Sequence, residues 1–326
     1  MDAATLETFT SPVILFFVLG MLAAFARSEL AVPEALAKGM SLYLMAAIGL
    51  KGGVAVSESG VDTTVAHALL AGIGASFLIP LFAFAVLKGF AKLDTLNSGA
   101  VAAHYGSVSV VTFVTAVEVY ELRGIPPGGF MVAVMAAMET PAILTGLLLA
   151  RKAIDKTDAK NDQGTGELLH EVFFNASVVL LLGAFAIGMI SGASGFSDVE
   201  PFFQAGFKGV LCLFLLDMGL IAARRLMDAR AMTVRLALVA IFLPLVNGAL
   251  GTILGSAIGL DVGSAAALGV LCASASYIAV PAAMRLALPQ ADAGIYLTMS
   301  LSVTFPFNIL VNIGLIGALA SRLAAA

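Results

Sequence analysis

Asp, Glu, Lys and Arg are spaced along this chain so that long stretches stay uncharged, and no other feature limits its fold as strongly. Thr8–Ala26, Thr64–Leu87, Thr95–Val117, Val172–Ser197, Leu236–Leu260, Val262–Met284 and Ala293–Ser321 carry none of the four. A helix of about 20 apolar residues crosses a hydrocarbon core of about 30 Å, and each stretch reaches or approaches that length. Pro33–Val56, Gly128–Ala150 and Val199–Ala223 join them if a few ionisable groups are tolerated. The pattern predicts an all-α polytopic membrane protein with ten spans, near 11–26, 34–56, 64–87, 97–118, 128–150, 171–192, 201–223, 235–259, 263–286 and 292–320. Barrel strands would need alternating runs of about ten residues, and the chain lacks them.

Composition agrees. Hydrophobic residues make up 60% of the 326 residues and charged ones 12%, against roughly 45–50% and 25% in soluble domains. A soluble globular enzyme and a disordered chain are excluded. A net charge of −4 without a basic stripe excludes a nucleic-acid binder. The first apolar run has no basic start, and Asp2 and Glu7 precede it, so it reads as a mature span and not a leader. Cys212 and Cys272 both fall inside spans and read as packing residues.

Basic residues set the orientation. With the N-terminus outside, the inner loops hold Arg27, Lys38, Lys88, Lys92, Arg151, Lys152, Lys156, Lys160, Arg224, Arg225, Arg230, Arg235 and Arg285. Only Lys51, Arg123, Lys208 and Arg322 fall outside, so 13 of the 17 basic residues are internal. The expectation is a multi-pass inner-membrane protein with both termini periplasmic.

The one markedly hydrophilic stretch, Arg151–His170, reads as a cytoplasmic linker between a first unit, 1–150, and a second, 171–326. Five spans lie in each, and an odd number means that the second unit is inserted inverted. Internal similarity supports a repeat. Pro80 and Pro244 sit in similar Phe-Leu-(Ile)-Pro-Leu contexts, Thr140-Pro141 parallels Phe305-Pro306, and Gly49 parallels Gly219. Inverted repeats typify secondary transporters, whose sites lie where helices break near the midplane. Spans 4 and 9 have matching small, hydroxyl-rich centres: Tyr105-Gly106-Ser107-Val108-Ser109 and Ser274-Ala275-Ser276-Tyr277. Half-helices starting there would aim free amides and positive dipole ends at one centre, an arrangement suited to a small anion. Small-residue helix packing enriches the same residue types.

Four longer runs carry a resemblance. HYGSVSVVTF (His104–Phe113), METPAILTG (Met138–Gly146), CASASYIAVPAAMRLALPQA (Cys272–Ala291) and YLTMSLSVTFPFNI (Tyr296–Ile309) resemble the sodium-dependent bicarbonate transporter family of the cyanobacterial SbtA type, in its shorter proteobacterial branch. The resemblance implies a ten-helix inverted repeat with core and gate domains, an elevator-like motion between them, a trimer, and sodium-coupled bicarbonate uptake. It also implies regulation through the linker by a small PII-like protein, although this linker is shorter than the cyanobacterial one. The family's broken helices carry over to Tyr105–Ser109 and Ser274–Tyr277, and an acidic residue before the span-5 proline appears here as Glu139.

Bicarbonate is a planar monoanion, and an inside-negative potential opposes its inward movement by about 2.3 kcal/mol per 100 mV. One Na⁺ moving with it cancels that term. The candidate Na⁺ ligands are Glu139, Thr140, Thr112, Thr304 and Asn308. Glu139 sits mid-span, two residues before Pro141, which frees the Ala137 carbonyl. It reads as a ligand or as a buried group holding the helix break. Thr304, Asn308 and Asn312 share one helix face, as Na⁺ ligands or as interhelical glue. Asp217, whose repeat partner reads as Ala47, reads as structural, Arg285 as an internal anchor and His104 as a packing group.

Gly192-Ala193-Ser194-Gly195 resembles a rhomboid-protease nucleophile motif, but that mechanism needs a later histidine, and His67, His104 and His170 all precede it. An enzyme is therefore not expected. An anion channel would need no sodium site. The realistic alternative substrate is another small anion, such as a short carboxylate.

Overall fold

A computed structural model describes residues 10–60, 62–151, 176–229 and 232–325. All regular structure among them is helical. In chain order the elements are α1 (Pro12–Phe25), α2 (Glu34–Ser59), α3 (Thr63–Gly89), α4 (Thr95–Gly106), α5 (Val110–Leu122), α6 (Met131–Arg151), α7 (Ala176–Ser197), α8 (Phe207–Met227), α9 (Val234–Ala257), α10 (Val262–Ala273) and α11 (Ala279–Ala287). The last, α12, is a composite over Ala293–Ala324, with π-helical turns at Thr298–Thr304 and Asn308–Asn312. Eight helical segments among the described residues are long and apolar enough to cross a membrane; α1 and α10 are shorter apolar helices. The linker expected at 151–170 lies, beyond Arg151, outside the described residues, as does the start of the sixth expected span.

In hydrocarbon no water satisfies the backbone, so each segment must close its own hydrogen bonds. Side-chain caps begin the helices where the chain re-enters them. Ser11 accepts from the Ile14 amide, Asp62 from Thr64 and Val65, Thr233 from Leu236 and Asp292 from Gly294. Large apolar side chains face outward, among them Leu70, Leu78, Ile190 and Leu238. Such faces suit lipid and would be a liability in water.

The helices pack as two groups. In one, α1 lies along α8 and α2 along α7. In the other, α3, α4 and α6 form one cluster and α9, α10 and α12 a second. Glycines make the first group possible. A Cβ on Gly53 would collide with the Phe185 carbonyl of α7, and one on Gly188 with the Leu50 carbonyl of α2. Across the other crossing, a Cβ on Gly219 would collide with the Phe17 carbonyl, and one on Gly20 with the Leu216 carbonyl. The two crossings are therefore built alike, and they correct the expected register. Gly219 has its counterpart in Gly53, not Gly49, because 50, 53 and 54 make the contacts that 216, 219 and 220 make, each 166 residues on. At that offset the counterpart of Asp217 is Lys51, not Ala47.

Candidate functional site

Both broken segments are assembled from the same local devices. The side chain of Asp94 accepts from the Asn97 amide at 2.9 Å and starts α4; Asp261 does the same for Ser264, also at 2.9 Å, and starts α10. Each helix runs for 12 residues and stops at a serine in extended conformation, Ser107 (ψ 175°) and Ser274 (ψ 162°). Two residues later a serine hydroxyl accepts from the first turn of the next half-helix: Ser109, its N-cap, from Thr112 at 3.2 Å, and Ser276, two residues before the Ile278 N-cap, from Val280 at 3.4 Å. Positions 94 and 261, 107 and 274, and 109 and 276 are each 167 apart. The matched serines are thus 107 with 274 and 109 with 276.

The two breaks bond to each other. The Ser276 amide donates to the His104 carbonyl at 2.9 Å, and the Ser109 amide donates to Ser274 Oγ at 3.0 Å. Ser274 Oγ donates in turn to the Leu271 carbonyl at 2.9 Å. Extended backbone at this depth is tolerated only where protein or a cavity receives it, and here each strand partly satisfies the other. The first turns of α5 and α11 open onto one small cavity of about 20 Å³, room for a single water-sized particle. Val108, Ser109 and Val110 line it from the first break, and Ser276, Tyr277 and Ala279 from the second. Glu139 of α6 lines it too and is 5% exposed. Among the described residues it has no ion-pair partner.

Other expected site residues lie around this cavity and not on its wall. Tyr105 donates to Thr304 Oγ1 at 2.7 Å, since the Thr304 hydroxyl is itself directed to the Ala240 carbonyl at 2.6 Å. Gly106 packs on Pro80, where a Cβ would collide with the ring. Ala275 is buried, and the buried hydroxyls of Ser107 and Thr112 find no partner among the described residues. Thr140 is half-buried. Asn308 donates to the Ala273 carbonyl at the end of α10 (2.9 Å), and Asn312 to the Pro244 carbonyl (3.1 Å) and Asn308 Oδ1 (2.9 Å). The face shared by Thr304, Asn308 and Asn312 therefore supplies donors to carbonyls at the Pro244 kink and the second break. At Pro141 the external donor is Ser76 Oγ, and it goes to Met138 O, one residue later than the freed carbonyl expected at Ala137.

His104 Nδ1 bonds the Ala100 carbonyl at 2.7 Å and its ring stacks on Tyr296, 4.5 Å between centroids. The motif Gly192–Gly195 sits at a kink, with Gly192 at φ 57°. Ser41 and Met45 of α2 also line the cavity. They lie on an unbroken span of the other group, and no local pattern marks them.

Residues 12–321 match the model of the Na⁺-dependent bicarbonate transporter superfamily. The chain belongs to that family. No curated protein matches it. The match runs through both broken segments and both cavity walls. As a member of the Na⁺-dependent bicarbonate transporter superfamily, the protein is a multi-pass membrane transporter and not an enzyme, and the Na⁺ in the family's description is a coupling ion.

Proposed function

We propose that the protein couples inward bicarbonate movement to Na⁺ by alternating access across the inner membrane, with both termini periplasmic. The observation that carries this reading is the meeting of the two breaks, amide to carbonyl and amide to serine, beside Glu139. The first turns of α5 and α11 contribute amides that no helical carbonyl reaches, and two N-terminal dipole ends favour one negative charge between them. The substrate residues on this reading are Tyr105–Ser109 and Ser274–Tyr277. Glu139, with Thr140, Thr112, Thr304 and Asn308 around it, is the Na⁺ side of the site.

The architecture is read as ten spans in two inverted five-helix units, 1–150 and 171–326, joined by the linker at 151–170. The constant offsets at the caps and the reciprocal glycine crossings support it. On this reading α1, α2, α7 and α8 form the gate, and α3–α6 with α9–α12 form the core that moves against it as an elevator. Ser41 and Met45 then close the cavity from the gate side. A trimer and a PII-like partner at the cytoplasmic linker complete the proposal.

Uptake of labelled bicarbonate into proteoliposomes, with and without an inward Na⁺ gradient, tests it. Gradient-dependent accumulation is the expected result. Na⁺-independent flux would point to a channel. A Na⁺-driven signal with a short carboxylate and none with bicarbonate would replace the substrate.

A further inference from the structure

The seam between the two helix groups carries charges that the anion and Na⁺ sites do not use. On one side Lys51 Nζ of α2 lies 3.5 Å from Glu121 Oε1 of α5, and Lys208 Nζ of α8 lies 2.6 Å from Glu118 Oε1. Glu118 is 2% exposed, whereas the Lys208 side chain is 57% exposed, so a buried acid is covered by a cation that stays in contact with its surroundings. The cations belong to the four-helix group and the acids to the other. These two are the ion pairs among the described residues.

Asp217 of α8 is different. It is 4% exposed, and its Oδ2 has no hydrogen-bond partner among the described residues. Arg224, two turns further along the same helix, attracts it electrostatically but gives its hydrogen bond to the Leu30 carbonyl at 2.6 Å. A buried carboxylate with no ion pair in contact is costly, because an attraction from two turns away repays only part of its desolvation. Its persistence calls for a state in which it has one.

The internal register says where that partner is. Gly53 and Gly219 occupy equivalent crossings 166 apart, which sets Lys51 onto Asp217. The caps of the broken segments are 167 apart, which sets Glu118 onto Arg285 of α11. Arg285 is exposed and sits beside the Tyr296 hydroxyl. The repeat thus turns a seam with its cation on the four-helix group and its acid on the other into a seam with those signs exchanged. One seam is closed by ion pairs in this structure, and at the other, among the described residues, no ion pair joins Asp217 to Arg285.

We propose that Asp217 and Arg285 form the reciprocal ion pair, closing the inner seam in the state in which Lys51–Glu121 and Lys208–Glu118 separate. The inner pair and the two outer pairs act as alternating latches, each set holding one end of the cycle. This rests on the alternating-access reading given above.

The test uses the full chain in liposomes, with Cys212 and Cys272 replaced by alanine. Asp217→Cys with Arg285→Cys, and Lys51→Cys with Glu121→Cys, are cross-linked by a short bifunctional thiol reagent. Both pairs should cross-link. In the variant carrying all four cysteines, closing Lys51→Cys to Glu121→Cys first should cut the second yield about tenfold or more, as mutually exclusive states require. Uptake adds an independent reading. Asp217→Arg and Arg285→Asp should each lower it about tenfold or more, the scale of one charge-assisted contact, and the double exchange should recover most of the loss. Failure of Asp217→Cys and Arg285→Cys to cross-link in assembled protein overturns the latch. So does a yield indifferent to the outer cross-link. Cross-link yields are read without substrate, so absent bicarbonate uptake by the unaltered protein would overturn the functional reading and leave the latch to be decided by them.

Discussion

The Tyr105 hydroxyl lies 2.7 Å from the Thr304 hydroxyl, and through it reaches the carbonyl that Pro244 strips of a helical donor, Ala240 O. One chain of two hydrogen bonds thus ties the broken α4 to α12 and α9. Thr304→Val would leave both Tyr105 Oη and Ala240 O unsatisfied in a buried place, at a cost of about 1–3 kcal/mol for each group. Tyr105→Phe removes a single donor and should cost about 1 kcal/mol. Thermal unfolding of the detergent-purified protein should rank wild type above Tyr105→Phe, and that above Thr304→Val. Equal midpoints for the two variants would show that the chain of bonds is not formed.

The glycine crossings give a sharper stability contrast. A methyl on Gly53 or Gly219 meets a carbonyl of the facing helix, so the helices must separate. Overpacking of this kind costs about 1–3 kcal/mol. Gly74 and Gly183 lie within helices and have open space where a Cβ would go. Alanine there should be neutral or slightly stabilising, since helical glycine is about 1 kcal/mol less favourable than alanine. Unfolding midpoints of the four variants check the contrast, and a Gly53→Ala protein as stable as Gly74→Ala would contradict it.

The apolar spans and both breaks are legible in the chain because each has a local cause. Charge is absent where lipid must be faced, and small hydroxyl residues gather where the helix stops. Register is less legible. Ser107 and Ser109 face Ser274 and Ser276, so two alignments two residues apart look alike until the caps at Asp94 and Asp261 are placed. Gly49 and Gly53 are one helical turn apart and both pack against α7, so sequence spacing cannot choose between them. Ser41 and Met45 are invisible for another reason. Their role comes from contact between the two groups, which no span records by itself.

Glu139 tests the cation side. A neutral amide keeps the shape of the carboxylate and removes its charge. Glu139→Gln should raise the Na⁺ concentration for half-maximal uptake about tenfold, the loss of a single favourable charge contact, with assembly unchanged. Unchanged Na⁺ dependence would make Glu139 a structural residue of the Pro141 kink.

Topology follows from the basic residues and can be read directly. Glu29 and Asp198 are exposed and lie on connections assigned to opposite sides. With Cys212 and Cys272 both buried, an impermeant thiol reagent applied from the periplasmic side should label Asp198→Cys and not Glu29→Cys. Labelling of both from one side would overturn the orientation and with it the ten-span count.

Ser109 and Ser276 offer the most direct test of a site shared by two breaks. Each hydroxyl accepts from the first turn of the half-helix that follows it, and each residue lines the same small cavity. Each also sends its amide across to the other break. Alanine at either position removes the hydroxyl's bond, worth about 1 kcal/mol, but leaves those amides in place, so uptake should fall modestly, by about tenfold or less. Leucine should do far more. The cavity holds about 20 Å³, and a branched side chain would fill it and force the half-helices apart. Ser109→Leu and Ser276→Leu should therefore each abolish uptake, with expression and assembly retained as judged by size-exclusion chromatography. The symmetry of the outcome is what matters, because a single-sided effect needs only one helix at the substrate. Wild-type uptake by either leucine variant would place that break away from the anion, and the two-sided site would have to be given up.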